Sequence, residues 1–335
     1  MSELHENVLV RSAETSNPSY GSTPGQRSME EHLRSGIIIL DKPRGPTSHQ
    51  TSAWVKDIIG LQKAGHSGTL DPGVSGVLPI ALEDATKILD FLLGEDKEYV
   101  TVMRLHAFLP QEKLEKTLAL FKGEIYQKPP LKSAVKRQLR TRKIRAITLL
   151  ETADRSALLN IRCEAGTYIR KLIHDIGLVS GTGAHMQELR RTKAGPFTEQ
   201  EAITLHDLKD AWQAHLEEHD DEPLRKAVKP VEYAVKNMKK IWLKDSAVDA
   251  ICHGAPLHMP GISQLSPNIK KGDTIAVMTL KQELIAIAES QWNTSDLMKK
   301  QHGTAASLQR VIMQPNLYPR HWKTHPTITN PANTP

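Results

Sequence analysis

The chain has 335 residues, a net charge of +6 and an isoelectric point near 9.1. This length exceeds the roughly 100 to 200 residues usual for one domain, so two domains with flanking tails are expected. Hydrophobic residues make up 39% of the chain, no apolar run approaches the ~18 residues of a membrane span, and the N-terminus lacks an apolar signal-peptide core. We therefore expect a cytoplasmic protein without a membrane segment.

Cysteine and histidine usage argues against a metal site. Cys163 and Cys252 are the only cysteines, and neither belongs to a CxxC pair, which excludes a disulfide framework and a cysteine-based zinc site. The 15 histidines form no HExxH motif and are expected to be scattered surface and site residues. The positive charge excess suits a polyanionic partner if the basic residues cluster.

The N-terminal region, residues 1–35, is rich in Ser, Glu, Asn, Pro and Gly and lacks periodic apolar residues, a composition typical of a tail. We expect disorder for residues 1–16. After it, a buried strand is predicted at 36–40, and Thr47 with Gln50 forms a capping box that begins a helix.

A loop with the sequence Gly-His-Ser-Gly-Thr-Leu-Asp-Pro follows at residues 65–72. Gly65 and Gly68 permit positive φ or close approach of another polymer, and Pro72 prevents a helix from continuing through Asp71, so this acid is expected to be exposed. Most such acids are turn residues hydrogen-bonded to their own backbone. Here apolar runs flank the loop on both sides, and loops held by a rigid scaffold tend to carry function.

The middle of the chain alternates helices and strands. Helices are predicted at 86–93 and 110–123, and strands at 97–104, 144–150 and 159–163. A helical stripe then begins at Ile169 and leaves Arg170 and Lys171 in the first turn, where the helix dipole disfavours cations. This placement predicts an anion close by. A carboxylate that must stay ionised in a desolvated site needs a fixed cation, and Arg170 suits Asp71 because its planar fork cannot be deprotonated.

Residues 128–145 carry eight Lys or Arg residues and no acid. A charged run is usually a solvated face, but solvated faces mix both signs, whereas a surface that follows phosphates does not. We therefore predict contact with a nucleic acid, and a smaller basic strand at 185–192 adds to it. The predicted contact residues are Lys132, Lys136, Arg137, Arg140, Arg142, Arg190 and Arg191.

Composition shifts after Thr204, and two domains are predicted, at 36–237 and at 238–315. The second domain shows short strands around one small helix, a pattern typical of a small mixed β-barrel. Residues 316–335 are polar and proline-rich and are predicted to be a tail.

The run G-H-S-G-T-L-D-P-x-x-S-G-V-L resembles the central motif of the TruB/dyskerin family of pseudouridine synthases. The similarity extends over about residues 17–322 and is closest to the archaeal, guide-RNA-dependent branch. It implies that Asp71 is the nucleophile, which attacks C1′ of the ribose or C6 of the uracil. Tyr99 would stack on the target base, and Tyr168 would act as a base or proton relay.

The resemblance also assigns the remaining site residues. Arg170 matches the family's arginine beside the nucleophile, in agreement with the argument from charge. His66 would lie near the flipped nucleotide, Leu189 would pack the floor of the pocket, and Lys42 would bind substrate. No metal or cofactor is implied, because bonds are exchanged within the substrate.

The implied fold is α+β: a mixed, largely antiparallel sheet with helices, followed by a PUA-type small β-barrel that binds RNA. Residues 17–35 would pack on this C-terminal domain. The substrate would be specific uridines of rRNA or tRNA, and the partners a box H/ACA guide RNA, its target RNA and the small accessory proteins of that particle.

Three other interpretations stay open. A stand-alone tRNA pseudouridine synthase is disfavoured by the N-terminal extension and the full barrel domain. A non-catalytic RNA-binding scaffold is disfavoured by the intact set of Asp71, Tyr99, Tyr168 and Arg170. An Asp-nucleophile glycoside hydrolase would use a second carboxylate, and the basic motifs contain no acid.

Overall fold

The computed structural model describes residues 8–128 and 138–320. Within them the chain forms two compact units, a larger one at Ser28–Ala234 and a smaller one that combines Met1–Arg27 with Val235–Pro335. The strands, in chain order, are β1 (Leu9–Val10), β2 (Gly36–Lys42), β3 (Ala64–His66), β4 (Ser75–Leu82), β5 (Lys97–Leu105), β6 (Gly123–Gln127), β7 (Arg140–Ala153), β8 (Ser156–Cys163), β9 (Ala184–Ala194), β10 (Phe197–Thr198), β11 (Val228–Pro230), β12 (Lys240–Leu243), β13 (Leu257–His258), β14 (Ile262–Leu265), β15 (Thr274–Thr279), β16 (Leu284–Ser290) and β17 (Thr304–Val311). The α-helices are α1 (Met29–Arg34), α2 (Ser48–Ile59), α3 (Leu89–Leu93), α4 (Gln111–Ala119), α5 (Ile169–Val179), α6 (Leu205–Gln213), α7 (Glu222–Ala227), α8 (Asp245–Cys252) and α9 (Thr294–Lys299). Within the described ranges no helix is long and apolar enough to cross a bilayer.

A mixed, largely antiparallel sheet organises the larger unit, which confirms the predicted α+β class. Its strand order is β11-β2-β4-β9-β5-β8-β7-β6, with β3 paired to β4 and β10 to β9. The β4–β9 pair is parallel and the other pairs are antiparallel. Apolar residues of α2 and α6 pack against β2 and β4, and those of α4 and α5 pack against β5 and β8.

The helices α2 and α5 begin where the sequence predicts. Thr47 and Gln50 form the capping box: Thr47 Oγ1 accepts from the Gln50 N–H at 3.1 Å, and Gln50 Oε1 accepts from the Thr47 N–H at 2.9 Å. In α5 the predicted apolar stripe is buried, and it consists of Ile169, Leu172, Ile173 and Ile176. Burial of this stripe leaves Arg170 exposed in the first turn.

The parallel strands β4 and β9 approach closely where Gly76 lies opposite Arg191. Gly76 has a φ of +106°, and a Cβ at this position would stand 2.2 Å from the backbone oxygen of Arg191. A side chain is therefore excluded both by backbone conformation and by space. This contact holds the start of β4, which follows the loop at residues 65–72, against β9.

The smaller unit contains a second sheet with the order β1-β14-β12-β15-β16-β17-β13. Its buried core is drawn from most of these strands and from α8 and α9, with Ile241, Val248, Val277, Ile285 and Leu297 among its members. The pattern of short strands around a small helix is thus present, with more strands than the sequence pattern predicts.

The predicted disorder of residues 1–16 is wrong from residue 8 onward. β1 pairs with β14 through Leu9 opposite Leu265, and the Arg11 guanidinium donates to the carbonyl oxygens of Leu297 and Lys300 at the end of α9. These bonds satisfy backbone groups of the smaller unit. A composition rich in polar residues does not report such pairing, because the stabilisation comes from a distant strand.

Residues 18–22 also lie on the smaller unit. Lys281 Nζ donates to the Pro18 carbonyl at 3.0 Å, and the Glu283 carboxylate accepts from the Ser22 N–H at 3.0 Å and from the Tyr318 hydroxyl at 2.5 Å. The predicted extent of this packing, residues 17–35, is too long, because α1 belongs to the larger unit.

The predicted tail begins too early, since Tyr318 is only 4% exposed and stacks obliquely on Tyr20. The Asn316 N–H donates to the buried Asp249 carboxylate at 2.8 Å. The described part of the segment, up to Arg320, is therefore held on the core, which a polar composition conceals.

Gly76→Ala tests the close approach of β4 and β9. We expect it to lower the free energy of unfolding of the larger unit by about 3 kcal/mol, because left-handed strain and overpacking each cost about 1–3 kcal/mol. Gly73→Ala is the matched control, since Gly73 has no positive φ and a Cβ added there would meet no atom within 4 Å. Equal denaturant midpoints for the two variants would contradict the steric argument.

Candidate active site

In the structure, the motif loop comprises residues 67–74, between β3 and β4. Side chains from outside the loop hold it in place. Ser48 Oγ donates to the Leu70 carbonyl at 3.0 Å and accepts from the Leu70 N–H at 2.8 Å. Ser48 is fully buried, and no local pattern in the chain indicates that it faces the loop. The backbone next to Asp71 is thus fixed, whereas the Asp71 carboxylate stays exposed.

Lys42 holds the other end of this loop. Its side chain is fully buried, and Nζ donates to the carbonyl oxygens of Pro43 at 2.8 Å and Val74 at 2.9 Å. Burial lowers the pKa of Lys42, Arg191 lowers it further, and Asp71 opposes the shift. The prediction that Lys42 binds substrate is therefore wrong for this conformation, because its ammonium group is enclosed and already bound to the loop.

Arg191 connects the loop to the sheet. It is 1% exposed, and its guanidinium donates from Nε to the Val77 carbonyl at 2.7 Å and from Nη2 to the Gly68 carbonyl at 2.9 Å. Its positive charge also acts on the Tyr99 phenol, which lies opposite it on β5. Burial lowers the pKa of Arg191, and Tyr99 opposes the shift. The predicted role of Arg191 in RNA contact is wrong because the side chain points into the protein.

Arg190, its neighbour on β9, points the other way, as strand alternation requires. Its guanidinium binds the Asp41 carboxylate through two contacts at 2.9 and 3.0 Å and Glu199 at 2.9 Å. The hydrogen bond to Asp41 raises the pKa of Arg190 despite its partial burial. Because two carboxylates already occupy this cation, the predicted phosphate contact is not supported by the structure.

The predicted partnership of Asp71 and Arg170 is present as a direct contact between Asp71 Oδ2 and Arg170 Nη2. Both side chains are more than half exposed, at 59% and 58%. The ion pair therefore stands at the surface of the free protein, not in the desolvated site expected from the sequence. A surface pair contributes little to stability, so its value lies in orienting the carboxylate.

Tyr99 and Leu189 lie on the neighbouring strands β5 and β9, and both are partly buried against the core of the larger unit. Burial is the largest influence on the Tyr99 phenol and raises its pKa, whereas Arg191 lowers it. Tyr99 therefore stays protonated at neutral pH. Tyr99 lies opposite Arg191, whose guanidinium binds the Gly68 carbonyl in the loop.

His66 ends β3, directly before the loop, and is half-buried. Burial lowers its pKa, and His49 and Arg191 lower it further, so the imidazole is neutral at pH 7. Its Nδ1 atom is buried without a hydrogen-bond partner within residues 8–128 and 138–320. Because Nδ1 is enclosed by the protein, this nitrogen is not available to a bound nucleotide.

Tyr168 is the N-cap residue of α5, two positions before Arg170, and is half-buried. Arg140 and Arg142 lie on β7, and Arg142 packs over Gly166, near Tyr168 in the chain. Arg142 therefore lies next to the segment that leads to Tyr168. Lys132, Lys136 and Arg137 fall outside the described residues. Across the described part of the chain, no three His, Cys, Asp or Glu side chains are grouped to hold a metal ion.

Family models match nearly all of the chain. The N-terminal domain of TruB family pseudouridylate synthases matches residues 56–111 and 107–169, and the C-terminal domain of tRNA pseudouridylate synthase B matches 170–236. A PUA domain matches 239–312, which confirms the predicted barrel type, and a DKCLD (NUC011) domain matches 3–52.

Individual proteins match over the same extent. A probable tRNA pseudouridine synthase B of Pyrococcus abyssi is 50% identical over 323 residues, 96% of each chain, and one of Thermococcus kodakarensis is 51% identical over 324 residues, also 96% of each. A structure of an H/ACA RNP bound to a substrate RNA containing 2′-deoxyuridine has a TM-score of 0.88 at 46% identity, over 96% of this chain and 98% of that one. A Cbf5-Nop10-Gar1 complex has a TM-score of 0.88 at 49% identity, over 95% and 97%. With its motif loop, its sheet and its C-terminal PUA domain, this chain belongs to the TruB family of pseudouridine synthases.

Proposed function

We propose that the chain isomerises uridines in RNA to pseudouridine as the catalytic subunit of a cytoplasmic box H/ACA ribonucleoprotein. The observation that carries this proposal is the exposed Asp71–Arg170 ion pair on a loop whose backbone is fixed by the buried donors Lys42, Ser48 and Arg191. A carboxylate presented in this way can reach a substrate atom and form a covalent intermediate.

The proposed reaction exchanges bonds within the substrate. Asp71 attacks C1′ of the ribose or C6 of the uracil, the bond between C1′ and N1 breaks, and the base rotates. C5 then bonds to C1′, and the bond to Asp71 breaks, either at C1′ when C5 displaces the carboxylate or at C6 by elimination. N1 gains a proton and C5 loses one, so no redox partner or metal ion is required. Arg170 orients the Asp71 carboxylate, and the pair strengthens when bound RNA displaces water from it.

The target base has to leave its stack before Asp71 can reach it. We assign stacking on the uracil to Tyr99 and the base or proton relay to Tyr168. We place His66 near the flipped nucleotide and assign the floor of the pocket to Leu189. Arg140 and Arg142 are proposed to bind backbone phosphates next to this pocket, because they lie beside the segment that leads to Tyr168.

Guide dependence is supported by the solved structures that the chain resembles, which are complexes described as an H/ACA RNP with substrate RNA and as Cbf5-Nop10-Gar1. We therefore assign a guide RNA, a target RNA and small proteins such as Nop10 and Gar1 as partners. Base pairing with the guide would select the uridine, since duplex RNA offers proteins shape and backbone more than sequence.

A second candidate function is guide-independent modification of tRNA. It is favoured by the names of relatives about 50% identical, which are described as probable tRNA pseudouridine synthases B. The same active site would serve both functions, so they differ only in how the RNA is delivered.

Asp71→Asn tests the nucleophile, because it removes the nucleophilic oxyanion while keeping the size of the side chain. We expect pseudouridine formation to fall by at least about 10³-fold in single-turnover assays, while RNA affinity changes less than about twofold. Asp57→Asn on α2 is the control, since Asp57 is 66% exposed and outside the motif loop. A loss of less than about tenfold for Asp71→Asn would refute the assignment.

Guide dependence is tested with the full chain and the accessory proteins. A target RNA should be modified only when a matching H/ACA guide is added. A guide with two mismatches to the target should lower the rate of modification to that measured without guide. The parallel reaction uses an unmodified tRNA transcript without guide. Equal modification of that tRNA and of the guided target would favour the second candidate function.

A further inference from the structure

Gln127 contacts the active site from β6, the edge strand of the large sheet. Its side chain is 2% exposed, and its amide forms two hydrogen bonds with one residue: Nε2 donates to the Tyr168 carbonyl at 3.1 Å, and Oε1 accepts from the Tyr168 N–H at 3.0 Å. A primary amide has an NH₂ group that donates and an oxygen that accepts. The Gln127 side chain can therefore bind both backbone groups of Tyr168, as a residue on a neighbouring strand would.

The position of Tyr168 makes these bonds consequential. Tyr168 is the N-cap of α5, its side chain gives no capping bond, and its carbonyl also accepts the first helical bond from the Leu172 N–H at 3.0 Å. Its backbone has an extended φ of −92° and ψ of 100°. The two bonds from Gln127 therefore hold the backbone from which the Tyr168 phenol projects and at which α5 begins.

Three further contacts hold the same segment to β7. The Glu164 N–H donates to the Lys143 carbonyl at 2.8 Å, and the Lys143 N–H donates to the Glu164 carboxylate at 3.0 Å. Arg142 packs over Gly166. Gln127 is the last of these contacts along residues 164–168 and the one nearest Arg170.

We propose that Gln127 is a positioning residue for catalysis: by binding both backbone groups of Tyr168, it sets the Tyr168 phenol and the Arg170 guanidinium relative to Asp71. The inference rests on the proposed pseudouridine synthase activity. Gln127 does not contact the reacting atoms and acts only through Tyr168 and Arg170. Its removal should slow the chemical step and leave RNA affinity intact.

Gln127→Met is the first test, because methionine is similar in length and forms neither bond. The single-turnover rate at saturating RNA should fall by about 10- to 100-fold, the loss expected for a misplacement of about 1 Å, with RNA affinity within about twofold. Gln187→Met on β9 is the control, since Gln187 is exposed. A rate within twofold of the wild type, or a parallel loss of RNA affinity, would overturn the proposal.

A double-mutant cycle separates positioning from a general structural effect. In an Arg170→Lys background, which keeps the charge but loses the planar fork, Gln127→Met should cost less than about threefold, because the group it positions is already impaired. The same fold-loss in both backgrounds would show that Gln127 acts independently of Arg170 and would overturn the proposal.

Gln127→Glu supplies a readout that a merely structural role would not move. An ionised carboxylate cannot donate to the Tyr168 carbonyl, whereas a protonated one has both donor and acceptor, so the rate relative to wild type should rise between pH ~8 and ~5. Burial favours protonation, and Arg140 opposite Gln127, Lys128 next to it and nearby Arg142 and Arg170 oppose it. A flat ratio would overturn the proposal, and this profile decides alone if Gln127→Met does not fold. An inactive wild type would instead refute the proposed function itself.

Discussion

Buried cations that donate to backbone carbonyl oxygens fix the geometry of this active site. Lys42 and Arg191 bind carbonyls within and beside the motif loop, and Lys97 binds the Leu92 and Leu93 carbonyls at the end of α3. Burying a charge costs free energy because the charge loses its hydration. In Lys97 burial, and then the nearby Arg191, lower the pKa of the ammonium group to about 8. The carbonyl dipoles offset part of this cost, and the hydrogen bonds from Lys42 and Arg191 hold the backbone of the loop.

This arrangement separates a rigid interior from an exposed reactive group. The Arg191 side chain connects β9 to β4 through Val77 and to the loop through Gly68, and Gly76 lets β4 approach the Arg191 backbone. Asp71 and Arg170 then meet at the surface, where RNA has access. In the proposed reaction, these buried side chains would act by holding the loop in advance, because preorganised groups need no rearrangement when the reaction begins.

Local signals in the sequence predicted the parts that depend on near neighbours. The Thr47 capping box, the buried stripe of α5 and the pairing of Arg170 with Asp71 follow from spacing, periodicity and charge. Lys42 and Arg191 were misassigned because a basic residue in a motif looks the same whether it faces solvent or the interior. Alternation along β9 requires Arg190 and Arg191 to face opposite sides, but it does not say which is buried. The pairing of β1 with β14 joins strands that lie far apart in the chain, and no local pattern encodes it.

The central claim is that the buried basic residues Lys42 and Arg191 position the loop and do not bind RNA. Arg191→Gln tests this claim through the salt dependence of RNA affinity and the single-turnover rate, measured at a temperature where the variant stays folded. The account predicts an unchanged salt slope and a rate at saturating RNA lowered by at least about 10²-fold, because the loop loses its anchor at Gly68 and β4 loses the bond at Val77. A salt slope reduced by about one with an unchanged rate would show that Arg191 binds a phosphate and would contradict the account.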